Sequence, residues 1–223
     1  MSVDPITTYS PPKNLVELEA HLQDLSHYVS ALEIIRNFAK NLGKTNHRQQ
    51  VFNAKRAIIR PPIEYKDVLN LKLLTADDDS FTLLQGDIVN TDAAYFLGER
   101  ITNTNFVIAS STCDIVPDRR QYAALLRIQP IMRSNPNVKQ LIGELLKFES
   151  TQRMYLPPLS NDSSDVIGNA LLFDGIIQIR LEDLLLATRL ASLSLVGWRI
   201  FGSLVRTIMV RAGTDEVKIR TAI

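Results

Sequence analysis

Residues 106–131 read FVIASSTCDIVPDRRQYAALLRIQPI, two apolar runs with a polar passage between them that holds the only cysteine of the chain. The first run stops abruptly in Ser110-Ser111-Thr112-Cys113-Asp114, and Pro117 closes the passage. Runs of this length, rich in branched and aromatic residues and bounded by turn formers, predict strands over 105–111 and 122–131. Working outward, similar runs occur at 71–75 (LKLLT), 80–89 (SFTLLQGDIV) and 152–159 (QRMYLPPL). Residues 169–180 (NALLFDGIIQIR) predict a hairpin turning at Asp174-Gly175, because Asp-Gly is a strong two-residue turn signal. Short strands linked mainly by hairpins favour a small antiparallel barrel over a doubly wound sheet.

Helical periodicity brackets this β-rich region. Asn14 is a good N-cap, and Leu15, Leu18, Leu22, Leu25, Val29 and Leu32 follow at spacings of three and four, one apolar stripe on a helix that Gly43 can close. The stripe has coiled-coil spacing but fails within three heptads, where Arg36 falls on the seam, so it needs a cover from the same chain or from a second copy. A second helix over about 46–59, ended by Pro61-Pro62, completes a predicted helical hairpin. Further helices are predicted over 137–148, inserted between strands, and over 184–210, where Leu186, Leu190, Leu193, Ile200, Leu204 and Ile208 share a face. The expected organisation is a flexible arm (1–13), a helical hairpin (14–60) and a barrel with inserted and C-terminal helices (61–223), an α+β fold.

A hydrophobic fraction of 45% and a charged fraction of 22% place the chain among globular proteins and outside the disordered class. One cysteine excludes an internal disulfide. The N-terminus lacks the basic and apolar regions of a signal peptide, and no apolar run is long enough to span a membrane, so a cytoplasmic location is expected. Charge is unevenly placed: residues 1–60 carry eight Lys/Arg against five Asp/Glu, 61–183 carry eleven against seventeen, and 184–223 carry six against two. The sharpest feature is the acid-free run Arg36, Lys40, Lys44, Arg48, Lys55, Arg56 and Arg60. Basic ends around an acidic middle imply an acidic partner, protein or RNA, or packing of the ends on the middle. With only Phe38 and Phe52 inside it, the run lacks the aromatic interleaving of a single-strand platform and would meet phosphates as a helix face.

Catalytic devices are sparse. A nucleophilic Cys113 needs a base within reach, but the three histidines are His21, His27 and His47, and Asp114 beside the thiol opposes thiolate formation. The expected role of Cys113 is that of a small buried residue closing a strand. His21 and His27, six apart, do not share a helix face as metal ligands would, and Asp77-Asp78-Asp79 reads as a solvated turn. No phosphate-binding, dinucleotide or hydrolase motif occurs, and neither a cofactor nor a metal is expected.

Gln85-Gly86-Asp87-Ile88-Val89, a polar loop, the 106–111 strand, and Ala123 to Ile131 together resemble the MazF/PemK-type toxin endoribonucleases, over about a third of the chain and excluding residues 1–60. The resemblance implies an SH3-like barrel in which Gly86-Asp87 opens the first strand and Ser110, Ser111 or Thr112 supplies a hydroxyl near a cleft. The arginine that precedes a proline in that family has no counterpart, since Arg100 is followed by Ile101-Thr102. The leading expectation is therefore a non-catalytic binding module. The rival expectations are an RNA-cleaving enzyme using Arg100, Arg119 or Arg120 with Ser111 or Thr112, and a homo-oligomer joined through residues 15–42.

Overall fold

The computed structural model describes residues 10–23, 25, 28–72, 82–116 and 118–209. In chain order the elements are α1 (Leu15–Gln23), α2 (Tyr28–Asn41), α3 (Thr45–Phe52), β1 (Ile59–Arg60), α4 (Tyr65–Asn70), β2 (Asp87–Asn90), β3 (Ala94–Phe96), β4 (Glu99–Ile101) and β5 (Asn105–Ile108). After a 3-10 turn at Thr112–Asp114 come β6 (Tyr122–Met132), α5 (Val138–Leu145), β7 (Arg153–Leu156), β8 (Val166–Arg180), α6 (Leu181–Leu185), β9 (Thr188–Leu193) and α7 (Leu195–Met209). The fold is α+β. All strand pairs are antiparallel, and the ladder runs β1-β9-β2-β5-β6-β8-β3-β4 as an open path, with β7 added to β8. No helix among the described residues is long and apolar enough to cross a membrane.

Side-chain alternation divides the interior in two. Ile88, Val107, Leu126 and Leu171 face one core, shared with Leu18, Leu22, Leu32, Ile35 and Phe38 of α1 and α2 and with Ile200 and Leu204 of α7. Val89, Phe106, Ile108, Leu125, Ile177 and Ile179 face a second core, closed by Leu181 and Leu184 of α6. Val89 of β2 and Ala94 of β3 both belong to this second core, although β2 and β3 lie far apart in the ladder. The sheet therefore curls around it.

Several elements depart from expectation. Asp174-Gly175 makes no hairpin turn; β8 is one strand of 15 residues. Its register against β6 jumps from Leu126↔Ile176 to Ile128↔Leu171, so the Asp-Gly pair lies in a bulge opposite Arg127. The bend gives the two halves of β8 different outer neighbours, β7 at Leu172 to Asn169 and β3 at Gln178. The helix expected over 184–210 is instead α6, β9 and α7. Thr188 to Ser192 pair with β2, a long-range partner that overrides a helical apolar spacing. Ser194 then starts α7, its Oγ accepting from Gly197 N–H at 3.1 Å and donating to Ala57 O at 2.7 Å.

The helix expected over 15–42 is two helices, and Arg199 of α7 donates to Leu22 O at 3.2 Å and Leu25 O at 2.6 Å where α1 ends. Its caps are as expected. Asn14 Oδ1 accepts from Glu17 N–H at 3.0 Å, and Gly43 adopts φ +75 beyond α2. The leucine stripe finds its cover in the same chain, with Leu18 and Leu22 fully buried against the core that α7 shares. The second helix ends at Phe52 rather than Ile59, and Phe52 packs edge-on between Phe38 and Phe148 at centroid distances of 6.1 and 5.0 Å. The inserted helix is α5, slightly shorter than expected. The β3–β4 hairpin falls within the stretch expected as polar loop, and the short α4 lies where the sequence pattern predicts no element. The strand expected at 71–75 and the Asp77 to Asp79 turn lie largely or wholly outside the described residues, as do residues 1–9 of the arm.

Candidate functional site

The polar passage after β5 is built by a split hydrogen bond. Ala109 and Ser110 N–H both donate to Ala124 O, at 2.8 and 3.3 Å, and Ala124 N–H donates to Ser110 Oγ at 2.8 Å. The ladder cannot continue past that point, and the chain turns into the 3-10 segment. Cys113 is consequently exposed, not the buried strand-end residue expected. Its Sγ lies 2.9 Å from Ser111 Oγ. Thr112 Oγ1 accepts from Gln85 N–H at 3.0 Å, which ties the turn to the start of β2.

Of the residues named for cleavage, the fold gathers only some. Arg119 donates to Cys113 O at 3.3 Å, and Arg120 pairs with Asp114 at 3.4 Å. Together with Arg180 they line a cavity of about 700 Å³ that also holds Asp118, Tyr122 and Glu182. Arg100 sits on β4, separated from β6 by β8 and β3, and donates through Nε to Asp92 O at 2.5 Å.

Gly86 immediately precedes β2, and Asp87 is the first residue of that strand. Gly86 adopts φ +88, and a Cβ there would meet Leu193 Cδ1 at 3.0 Å. Asp87 is fully buried. Its carboxylate accepts from Ser192 Oγ at 2.5 Å, Leu84 N–H at 2.9 Å and Arg189 Nη1 at 3.2 Å. Arg189 also donates to Thr82 O at 2.9 Å, Ile63 O at 3.2 Å and Glu64 Oε1 at 2.5 Å. Burial raises the Asp87 pKa, and these bonds only partly oppose it. The cluster fastens the segment after β1 and the start of β2 onto β9.

That fastening shapes the surface around the basic run, which does not form one helix face. Its members are distributed over α2, α3, the following turns and β1. Arg36 donates to Phe148 O at 2.8 Å, and Arg48 donates twice to Gly43 O, at 2.8 and 2.7 Å, so both hold backbone carbonyls. Arg36, Lys40 and Arg48 line one cavity together with Glu33 and Glu149. Lys44 is an exposed residue just before α3.

Lys55, Arg56 and Arg60 line a separate groove of about 580 Å³. Two proline pairs, Pro61-Pro62 and Pro157-Pro158, border it, and the buried Leu159 and Ala191 contribute apolar surface. Among the described residues no acidic side chain lines this groove. Arg56 is held at φ +70, a region a non-glycine residue seldom occupies. Sequence spacing could not reveal the groove, because its prolines are about a hundred positions apart. No family model, curated protein or solved structure matches the chain.

Proposed function

We propose that the chain is a binding module without catalytic activity, and that the groove between Lys55, Arg56, Arg60 and the proline pairs receives an extended acidic segment of a protein partner. One observation carries the reading: three exposed cations surround apolar surface with no carboxylate among the lining residues. Proline side chains offer apolar contact with little conformational freedom left to lose, which favours a peptide over a charged backbone alone. Of the other basic positions, Arg36 and Arg48 are engaged with carbonyls and Lys40 is accompanied by acids, while Lys44 stands apart from both cavities. The supporting frame is read as an SH3-like barrel, consistent with the sheet curling around a second core closed by α6.

A short labelled peptide alternating glutamate and leucine tests this. It should bind at low salt, more weakly as salt rises, and the triple variant Lys55→Glu, Arg56→Glu, Arg60→Glu should weaken it at least about tenfold. A glutamine–leucine peptide should not bind. Absence of binding by the acidic peptide, or binding indifferent to the triple variant, would remove the reading.

A further inference from the structure

The helices cover only part of the sheet face to which Leu126 belongs. Beyond them the same face continues across β6, β8, β3 and β4, and the register fixes what stands on it. Ala124, Gln178, Tyr95 and Arg100 form one row across the four strands, and Tyr122 and Arg180 form the next. Directly opposed residues of an antiparallel pair share a face, so these side chains emerge together. Tyr95 and Tyr122 are 54% and 55% exposed, high values for aromatic residues within a sheet. They stand two strands and one row apart, about 10 Å across the sheet and about 7 Å along it, with Gln178 and Arg180 of β8 between them. The face runs into the cavity of about 700 Å³ that holds Arg119, Arg120 and Arg180.

We infer that this face binds an unpaired stretch of nucleic acid, with bases stacked on Tyr95 and Tyr122 and phosphates drawn to the surrounding arginines. Each base has a face for a tyrosine ring, and the edge between two stacked bases is within the province of a side-chain amide such as Gln178. The arginines carry acidic neighbours. Arg180 pairs with Glu182 at 2.6 Å, Arg120 with Asp114 at 3.4 Å and Arg100 with Asp92 at 3.9 Å. These pairs are all about half or more exposed and hold little energy, so a phosphate can replace the acid. Because the acids remain close, stacking rather than net charge dominates. The expected salt dependence is shallow, a slope of log affinity against log salt no steeper than about −2, or about three phosphate contacts at −0.7 each. The surface is separate from the proline-bordered groove, and the inference does not depend on what that groove binds.

The test uses the full chain with a labelled single-stranded RNA of mixed sequence, a single-stranded DNA of the same sequence, and the corresponding duplex. Either or both single strands should bind, and the duplex should bind at least about tenfold more weakly. Tyr122→Ala and Tyr95→Ala should each weaken binding about tenfold, while Tyr122→Phe and Tyr95→Phe retain it, since stacking needs the ring and not the hydroxyl. The phenylalanine variants also guard against loss through misfolding, and the triple glutamate variant of the groove should bind like the parent. Failure of both single strands to bind at low salt overturns the inference. So does equal binding of the duplex, or a concentration-dependent mass that the alanine variants abolish, which would make the face a contact between copies.

Discussion

Gly197, in the first turn of α7, lies so close to the carbonyl of Ile58 that a Cβ on it would sit 2.1 Å from that oxygen. The approach lets Ser194 N–H donate to Ile58 O at 2.8 Å, which seats α7 beneath the chain leading into β1 and so sets one side of the basic groove. Gly197→Ala must push α7 away. Chemical denaturation should register a loss of about 1–3 kcal/mol, the usual cost of overpacking, and amide exchange should quicken at Ser194 and in β1.

Asp87 makes stability depend on pH in a direction opposite to that of an ordinary ion pair. Its folded pKa is raised above 3.8 because burial outweighs the bonds from Ser192, Leu84 N–H and Arg189. The folded state then holds the proton more tightly than the unfolded chain. Its contribution is largest below the unfolded value and falls as pH rises through the folded one. Measured against Asp87→Asn, the parent should lose relative stability as pH climbs from about 4 through the raised pKa, and stay level above it. A relative gain over that window would contradict the assignment.

Tyr155 titrates in the same sense at the alkaline end. Burial pushes its phenol up to about 12, while its hydroxyl donates to Asn53 Oδ1 at 2.7 Å. Stability should decline between about pH 10 and 12 as the unfolded phenol ionises first, and Tyr155→Phe should remove that part of the decline while costing about 1 kcal/mol at neutral pH. Gly168→Ala tests the packing, because a Cβ there would meet Tyr155 Cε2 at 2.9 Å. Ultraviolet titration of the phenol in both proteins is the direct measurement.

Arg199 holds α1 to α7 through the carbonyls of Leu22 and Leu25. Arg199→Met keeps much of the side-chain bulk and deletes the donors, and should cost about 1.5–3 kcal/mol, the range for hydrogen bonds to charged groups. Leu22→Ala, at a fully buried position, should cost about 2.7–5 kcal/mol and leave the molecular mass unchanged, since its cover is in the same chain. Dissociation of an oligomer by either variant would show that α1 also serves an interface.

Cys113 is exposed and contacts Ser111 Oγ, with no histidine in its part of the sequence. A thiol reagent should modify the native protein without a prior unfolding step. Cys113→Ala should leave the melting temperature and acidic-peptide binding unchanged. Loss of either would give the residue a role that its surroundings do not explain.

Local signals wrote much of the architecture. Asn14 and Gly43 cap their helices because side-chain bonding and positive φ are properties of the residue itself. The apolar runs at 105–111, 122–131 and 152–159 contain the strands Asn105–Ile108, Tyr122–Met132 (one residue beyond its run) and Arg153–Leu156 because their pattern suits a sheet with filled faces. The Leu18–Leu22–Leu32 stripe had to be covered, and it was. Asp174-Gly175 shows the limit of such signals: the pair did break the regular strand, but whether it became a turn or a bulge depended on β6 continuing past it.

Long-range pairing decided the remainder. Thr188 to Leu193 carry a helical spacing, yet β1 and β2 offered backbone partners on both sides and drew them into the sheet. The groove takes Lys55 and Arg60 from one end of the chain and Pro157 from a point about a hundred residues on, and the tyrosine face takes Tyr95 and Tyr122 from strands that β8 holds apart. A sequence records which residues can bind or stack. Which of them stand side by side is set by strand register, and register depends on hydrogen bonds between segments far apart in the chain.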